Sequence, residues 1–240
     1  VRRQYTQDMP TWSVFIAATM VLVVLGAVGL ITYLFIRRAR VRKRFDYIKG
    51  ARDGAEELIK RTEARIDALH SPLAGDYLKV QWRSLVNQYT DARPTLKALE
   101  DIQDYSLHAA SIKEAYKALK QINTAAAQID SLENFCAGDT AVRAGEVQWL
   151  LGDAQAALSR QPDNASLRQI TQRINDLSQD LSREDFDSAF ARVLEDYHPM
   201  VGALPERLYP QRDRKTPPLL GTPEWRPGMG TCLLYTSDAA

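Results

Sequence analysis

TWSVFIAATMVLVVLGAVGLITYLFI, residues 11–36, decides how this chain is organised. It is 26 residues long and holds no formal charge. A helix rises about 1.5 Å per residue, so the stretch reaches roughly 39 Å and crosses the ~30 Å hydrocarbon core of a bilayer with some tilt. A secretory signal has a shorter apolar region, about 7–15 residues, and ends at a small-residue cleavage site. This run ends in arginine instead. Trp12 and Tyr33 lie near its two ends, where aromatic rings settle at headgroup level. Gly26 and Gly29 are three apart, so the GxxxG dimer spacing is absent. The expectation is one transmembrane helix over 11–36.

The flanks orient it. Arg37, Arg38, Arg40, Arg42, Lys43 and Arg44 follow the run, whereas Arg2 and Arg3, with Asp8, precede it. Basic flanks stay in the cytoplasm. Residues 1–10 are then a short extracytoplasmic flank, 37–44 a basic juxtamembrane segment, and the remainder cytoplasmic. The expected location is the cell membrane, in a single pass. The same six bases suit anionic lipid headgroups, at about 1 kcal/mol per basic residue near the surface. They are the candidate site residues, and membrane lipids the expected partner. Residues 1–44 sum to +7 and residues 45–240 to −6. An acidic domain lacks the basic face that phosphates require, so no nucleic-acid partner is expected.

Residues 45–198 read as a cytoplasmic helical domain of five or six helices. Phe45, Ile48, Arg52, Ala55, Ile59, Thr62, Ile66 and Leu69 follow the three–four spacing of one helix face. Gly50 and Gly54 fall inside this first segment and suggest a hinge. His70-Ser71-Pro72 and Gly75 end it. Leu78, Trp82, Leu85, Tyr89, Ala92, Leu96 and Leu99 form a second seam, which Pro94 should kink or break. A third helix runs from Ser106 or Ser111 to Cys136, with Ser111 to Glu114 spaced as a capping box. Gly138-Asp139-Thr140 closes it and caps a fourth over 140–160, with Val147, Leu151, Ala154 and Leu158 inward. Asn164 caps a fifth carrying Leu167, Ile170, Ile174 and Leu177. Phe186, Phe190, Val193 and Tyr197 form the face of a sixth. Trp82 and Trp149 are expected to be core anchors. Pro72, Pro94, Pro162 and the Gly138 turn exclude one continuous coiled coil. The fold class is all-α: one N-terminal transmembrane helix, then a multi-helix antiparallel bundle or coiled-coil-like domain, and a Pro-rich tail.

Seven of the 11 prolines lie between 199 and 227, so residues 199–231 read as a disordered tail. Residues 232–240, CLLYTSDAA, resemble a sequencing-library adapter translated in frame, and the protein of the organism is expected to continue differently beyond Thr231. Setting Cys232 aside leaves Cys136 alone, a small buried hydrophobe without a disulfide partner.

No catalytic, cofactor-binding or metal-binding motif is present. His70, His108 and His198 have no second ligand at metal spacing. There is no HExxH, CxxC or P-loop. Glu56-Glu57 and Asp185/Asp187 flank apolar seams, where carboxylates form a solvated face. No second copy of any segment recurs at the 34-residue spacing of tetratricopeptide repeats.

One span, a basic flank and a helical cytoplasmic region resemble two bacterial groups in layout. The TPM-domain membrane proteins are one, and that resemblance implies a TPM domain upstream of Val1. The septation-ring regulators are the other, with one span and spectrin-like helices inside. Both cover residues 11 to about 198 and bring no site residue with them. The expected role is a non-catalytic, membrane-anchored scaffold of the bacterial cell envelope, with a protein partner on the helical domain and self-association as a further mode. The alternative is an accessory subunit or cytoplasmic half of a transporter or membrane enzyme whose active domain lies upstream or on another chain.

Overall fold

The computed structural model describes residues 11–99, 108–202 and 218–228, with side chains from Thr19 onward. The N-terminal flank, the polar interval at 101–105, much of the Pro-rich stretch and the adapter-like end lie outside the described residues. Six helices follow in order: α1 (Thr11–Ala68), α2 (Asp76–Ala98), α3 (Ala109–Cys136), α4 (Thr140–Arg160), α5 (Ala165–Leu177) and α6 (Phe186–Gly202). Among the described residues there is no strand.

α1 has 58 residues and runs about 87 Å. Its C-terminal half buries Phe45, Ile48, Ala55, Ile59, Thr62 and Ile66, the seam read from the spacing. α1 packs chiefly on α3, and α2 lies against both. Ion pairs give the directions. Asp67 meets Lys79 and Glu56 meets Arg93, so α1 and α2 are antiparallel. Tyr47 meets Asn123 and Arg65 meets Asp130, so α3 runs parallel to α1. α4, α5 and α6 pack in series as a second layer, and α3 touches α4.

Several local expectations give way to packing. α1 continues through Gly50 and Gly54 with no break, because the buried residues on either side hold the helix straight into α3. α2 continues through Pro94. The missing donor costs about 3 kcal/mol, but Leu96 and Leu99 beyond it are 2% and 3% exposed, and burying each returns about 1.5–3 kcal/mol. Pro199 likewise sits inside α6, which carries buried Val201 past the expected end at 198. Ser111 lies within α3, whose N-cap is His108 without a side-chain bond, so there is no capping box. Asp139 and Asn164 do cap: the Asp139 carboxylate accepts from the Ala141 and Val142 N–H groups, and Asn164 from Leu167. On α4 the inward face is turned by one residue. Leu150 and Ala157 are buried while Leu151 and Leu158 are half-buried, because Arg143 and Glu146 also face inward.

Arg143 joins the two layers. Its guanidinium donates to the Phe135 carbonyl at 2.9 Å, the Leu181 carbonyl at 2.8 Å and the Asp187 carboxylate at 3.2 Å. It lies 4.7 Å from the Phe186 ring centre. Phe135 of α3 in turn packs on Phe186 and Phe190 of α6 at 5.5 and 5.1 Å.

The expectation of a disordered tail does not hold for residues 218–228. Residues 218–228 dock on the bundle, with Leu220 and Trp225 in the core. Two apolar anchors offset the ordering cost that proline and glycine composition alone would leave uncompensated. Arg226 pairs with Glu146 at 3.3 Å and lies 5.3 Å from the Trp149 ring centre.

Trp82 is buried as expected, whereas Trp149 is half-buried. Trp82→Ala should therefore cost about 3–5 kcal/mol in denaturant melts, and Trp149→Ala clearly less. Burial pushes the Glu146 carboxyl above its ordinary 4.5, and the Arg226 guanidinium only partly offsets this. The fold then holds that proton more tightly than the unfolded chain, so the contribution of Glu146 is greatest below pH 4.5 and falls as pH rises through the raised value. Glu146→Gln should melt no lower than the parent at pH 7, with the gap closing near pH 4. Arg226→Ala, which leaves a buried carboxylate unpaired, should melt lower at pH 7 and recover on acidification.

Candidate functional site

Every residue from Thr19 to Arg40 is exposed. Met20, Leu22, Leu25, Leu30, Ile31 and Phe35 are among the large apolar side chains that no other described part of the chain covers. This apolar length of α1 is long enough to cross a membrane. Scattered surface apolar residues are ordinary, but an uncovered patch running around a whole helix needs an apolar surrounding.

The basic segment continues the same helix without interruption. At about 100° per residue, Arg37, Arg38, Arg40, Arg42, Lys43 and Arg44 point in all directions around the axis. Residues 37 to 44 span roughly 10 Å along it. The six bases form a collar and not a one-sided patch. Arg37, Arg38, Arg40, Arg42 and Lys43 are exposed, while Arg44 is half-buried. Its guanidinium lies 5.7 Å from the centre of the Tyr116 ring on α3. Tyr116 packs edge-on to Tyr47 at 5.1 Å, and the Tyr47 hydroxyl accepts from Asn123 Nδ2 at 2.7 Å. The structure thus divides the six candidates: five face solvent and one also braces α1 against α3.

Val41, inside the collar, is only 7% exposed. Five residues of helix, about 7.5 Å, separate Ile36 at the end of the apolar run from the first side chain covered by the bundle. No glycine, proline or loop lies between them. Because α3 runs parallel to α1, its N-terminal half, with exposed Lys113 and Lys117, lies on the collar side.

The remaining titratable groups do not converge. His70 is exposed at the end of α1, His108 caps α3, and His198 is buried on α6. Among the described residues no group of three or more His, Cys, Asp or Glu is placed to hold a metal ion. Burial pushes the Cys136 thiol up to about 12, opposed by a hydrogen bond from Ser71. A thiol held protonated is a poor nucleophile. Glu56 pairs with Arg93, Asp185 with Arg183, and Asp187 with Arg143 and Ser71. Three polar residues that prove central went unmarked in the sequence reading: Arg143, Gln81 and Gln128. A charged or amide side chain at a seam position was the available signal. Gln81 stands next to Trp82 and is buried with it on α2.

No protein-family model, curated protein or solved structure matches this chain.

Replacing Arg37, Arg38, Arg40 and Arg42 by Gln removes about 1 kcal/mol of anionic-lipid attraction per residue. Native mass spectrometry of the full chain, purified with mixed phosphatidylglycerol and phosphatidylcholine, should show its anionic preference fall at least tenfold. An unchanged ratio would make the collar a topological flank only.

Proposed function

We propose that the chain is a single-pass, membrane-anchored helical interaction module of the bacterial cell envelope, with its N-terminus outside and its bundle in the cytoplasm. It holds protein partners against the membrane surface and carries out no chemistry of its own. The observation that carries this reading is the continuity of α1. One helix passes from a length exposed on every side, through a basic collar, into a buried seam that begins at Val41. A bundle mounted so close to the bilayer holds one end towards the headgroups, so a partner docked on its helices is fixed in height above the membrane. The wide spread of paired, solvated carboxylates and the protonated thiol support a non-catalytic role. The acidic balance of residues 45–240 favours partners with basic faces and disfavours nucleic acid.

Two chains with one introduced cysteine each test anchor and topology, both with Cys136 kept as a poorly reactive reference and with Cys232→Ser. Gln7→Cys, in the flank that precedes the span, should react with a membrane-impermeant maleimide on intact cells. Lys60→Cys, exposed on α1, should react only after permeabilisation. The reverse pattern would invert the topology. Release of the chain by alkaline carbonate would remove the anchor itself.

A further inference from the structure

Residues 218–228 lie on the bundle as an irregular strap, with turns closed by Leu219–Thr222 and Thr222–Trp225 backbone bonds. Two glutamine side chains grip its backbone. Gln81 Oε1 accepts from the Leu220 N–H at 3.1 Å, and its Nε2 donates to the Pro218 carbonyl at 3.5 Å. Gln128 Oε1 accepts from the Gly221 N–H at 2.8 Å, and its Nε2 donates to the Thr222 carbonyl at 2.7 Å. A primary amide presents acceptor and donor side by side, so it pairs with a peptide's N–H and C=O as another backbone would.

The grip holds any peptide backbone; other contacts select the sequence. Leu220 is 1% exposed and Trp225 is 5% exposed. Gly221 has φ +84°, and a Cβ there would lie 2.9 Å from the Gln121 carbonyl oxygen. Gly228 has φ +76°, and a Cβ there would collide with Leu194 and Leu73. Arg226 meets Glu146 and the face of Trp149. The groove therefore reads an apolar residue followed by glycine, then a tryptophan–arginine pair. The fit is incomplete at one atom. Trp225 Nε1 is buried without an acceptor, and an unpaired buried donor weakens the docked state.

We propose that this groove is a peptide-binding site with the chain's own strap as its resting occupant, and that it takes residues 218–228 of a second copy in exchange. The same eleven residues satisfy every contact whichever chain supplies them. Fifteen residues, 203–217, join the strap to α6, a reach of up to about 50 Å. Exchange makes no new contact and loses none, so concentration sets the balance between the two arrangements. Copies confined to one membrane are concentrated; that part rests on the anchor reading, whereas exchange itself does not.

Two full-length variants in detergent test the exchange. Q81A/Q128A has a damaged groove and an intact strap. L220A/W225A has the reverse. Each alone should be monomeric by light scattering, and their mixture should give a one-to-one complex. Donor- and acceptor-tagged parent chains in vesicles should then show energy transfer that rises with protein-to-lipid ratio and is abolished by L220A/W225A. Circular dichroism of each variant checks that the helices persist; a variant that unfolds is replaced by W225F, which keeps an aromatic ring in the pocket, or Q81E, which keeps the side-chain volume. A mixture that stays monomeric, or energy transfer that survives loss of the strap anchors, overturns the proposal. A failure of membrane insertion appears separately, as vesicle-free protein, and leaves the detergent result standing.

Discussion

A helix that is apolar on every face needs an apolar surrounding on every side, and no part of the described chain supplies one to residues 19–36 of α1. Five residues later the same helix begins an amphipathic stretch packed on α3. The two environments share one unbroken hydrogen-bond ladder, which leaves little freedom at the junction. Val41 is already covered by the bundle while Arg40 and Arg42 on either side of it face solvent. Much else about the molecule follows from that short distance: the collar all around the axis, the brace from Arg44 and Tyr47 to Tyr116, and the lysines of α3 on the same side.

Below the junction, stability is concentrated in a few joints. Arg143 satisfies carbonyls at the end of α3 and in the α5–α6 connection, neutralises Asp187 and covers Phe186. A buried arginine is costly unless its donors are met, and here four acceptor contacts meet them. That makes it a registering device between the two layers as much as a source of energy. The strap is held differently. Its anchors are apolar, its backbone is met by amides, and its ion pair sits on a carboxylate that burial already disfavours. Such a segment docks with specificity and with less to lose on release than a core helix.

The long apolar run, the collar and most of the seams were legible in the residues. Period and charge act locally: Phe45, Ile48, Ala55, Ile59 and Ile66 fall on one helix face wherever that helix packs, and a run without charge is apolar in any fold. Asp139 and Asn164 were legible as caps for the same reason, since a cap bonds within its own turn. The exceptions were all cases of a local rule outweighed from a distance. Pro94 and Pro199 stay inside helices because leucine and valine beyond them are buried by other elements. Gly50 and Gly54 make no hinge because α3 holds both sides.

By itself the sequence determined that the chain is helical, where its long uncharged apolar run lies, and which bases flank it, because these depend on spacing and composition alone. Only the tertiary structure decided that α4 turns Arg143 and Glu146 inward, that Trp149 is half-buried while Trp82 is sealed, and that a proline- and glycine-rich tail returns to the bundle. Those outcomes depend on partners such as those 38 and 139 residues away along the chain, and no periodicity in a segment records what will be placed against it.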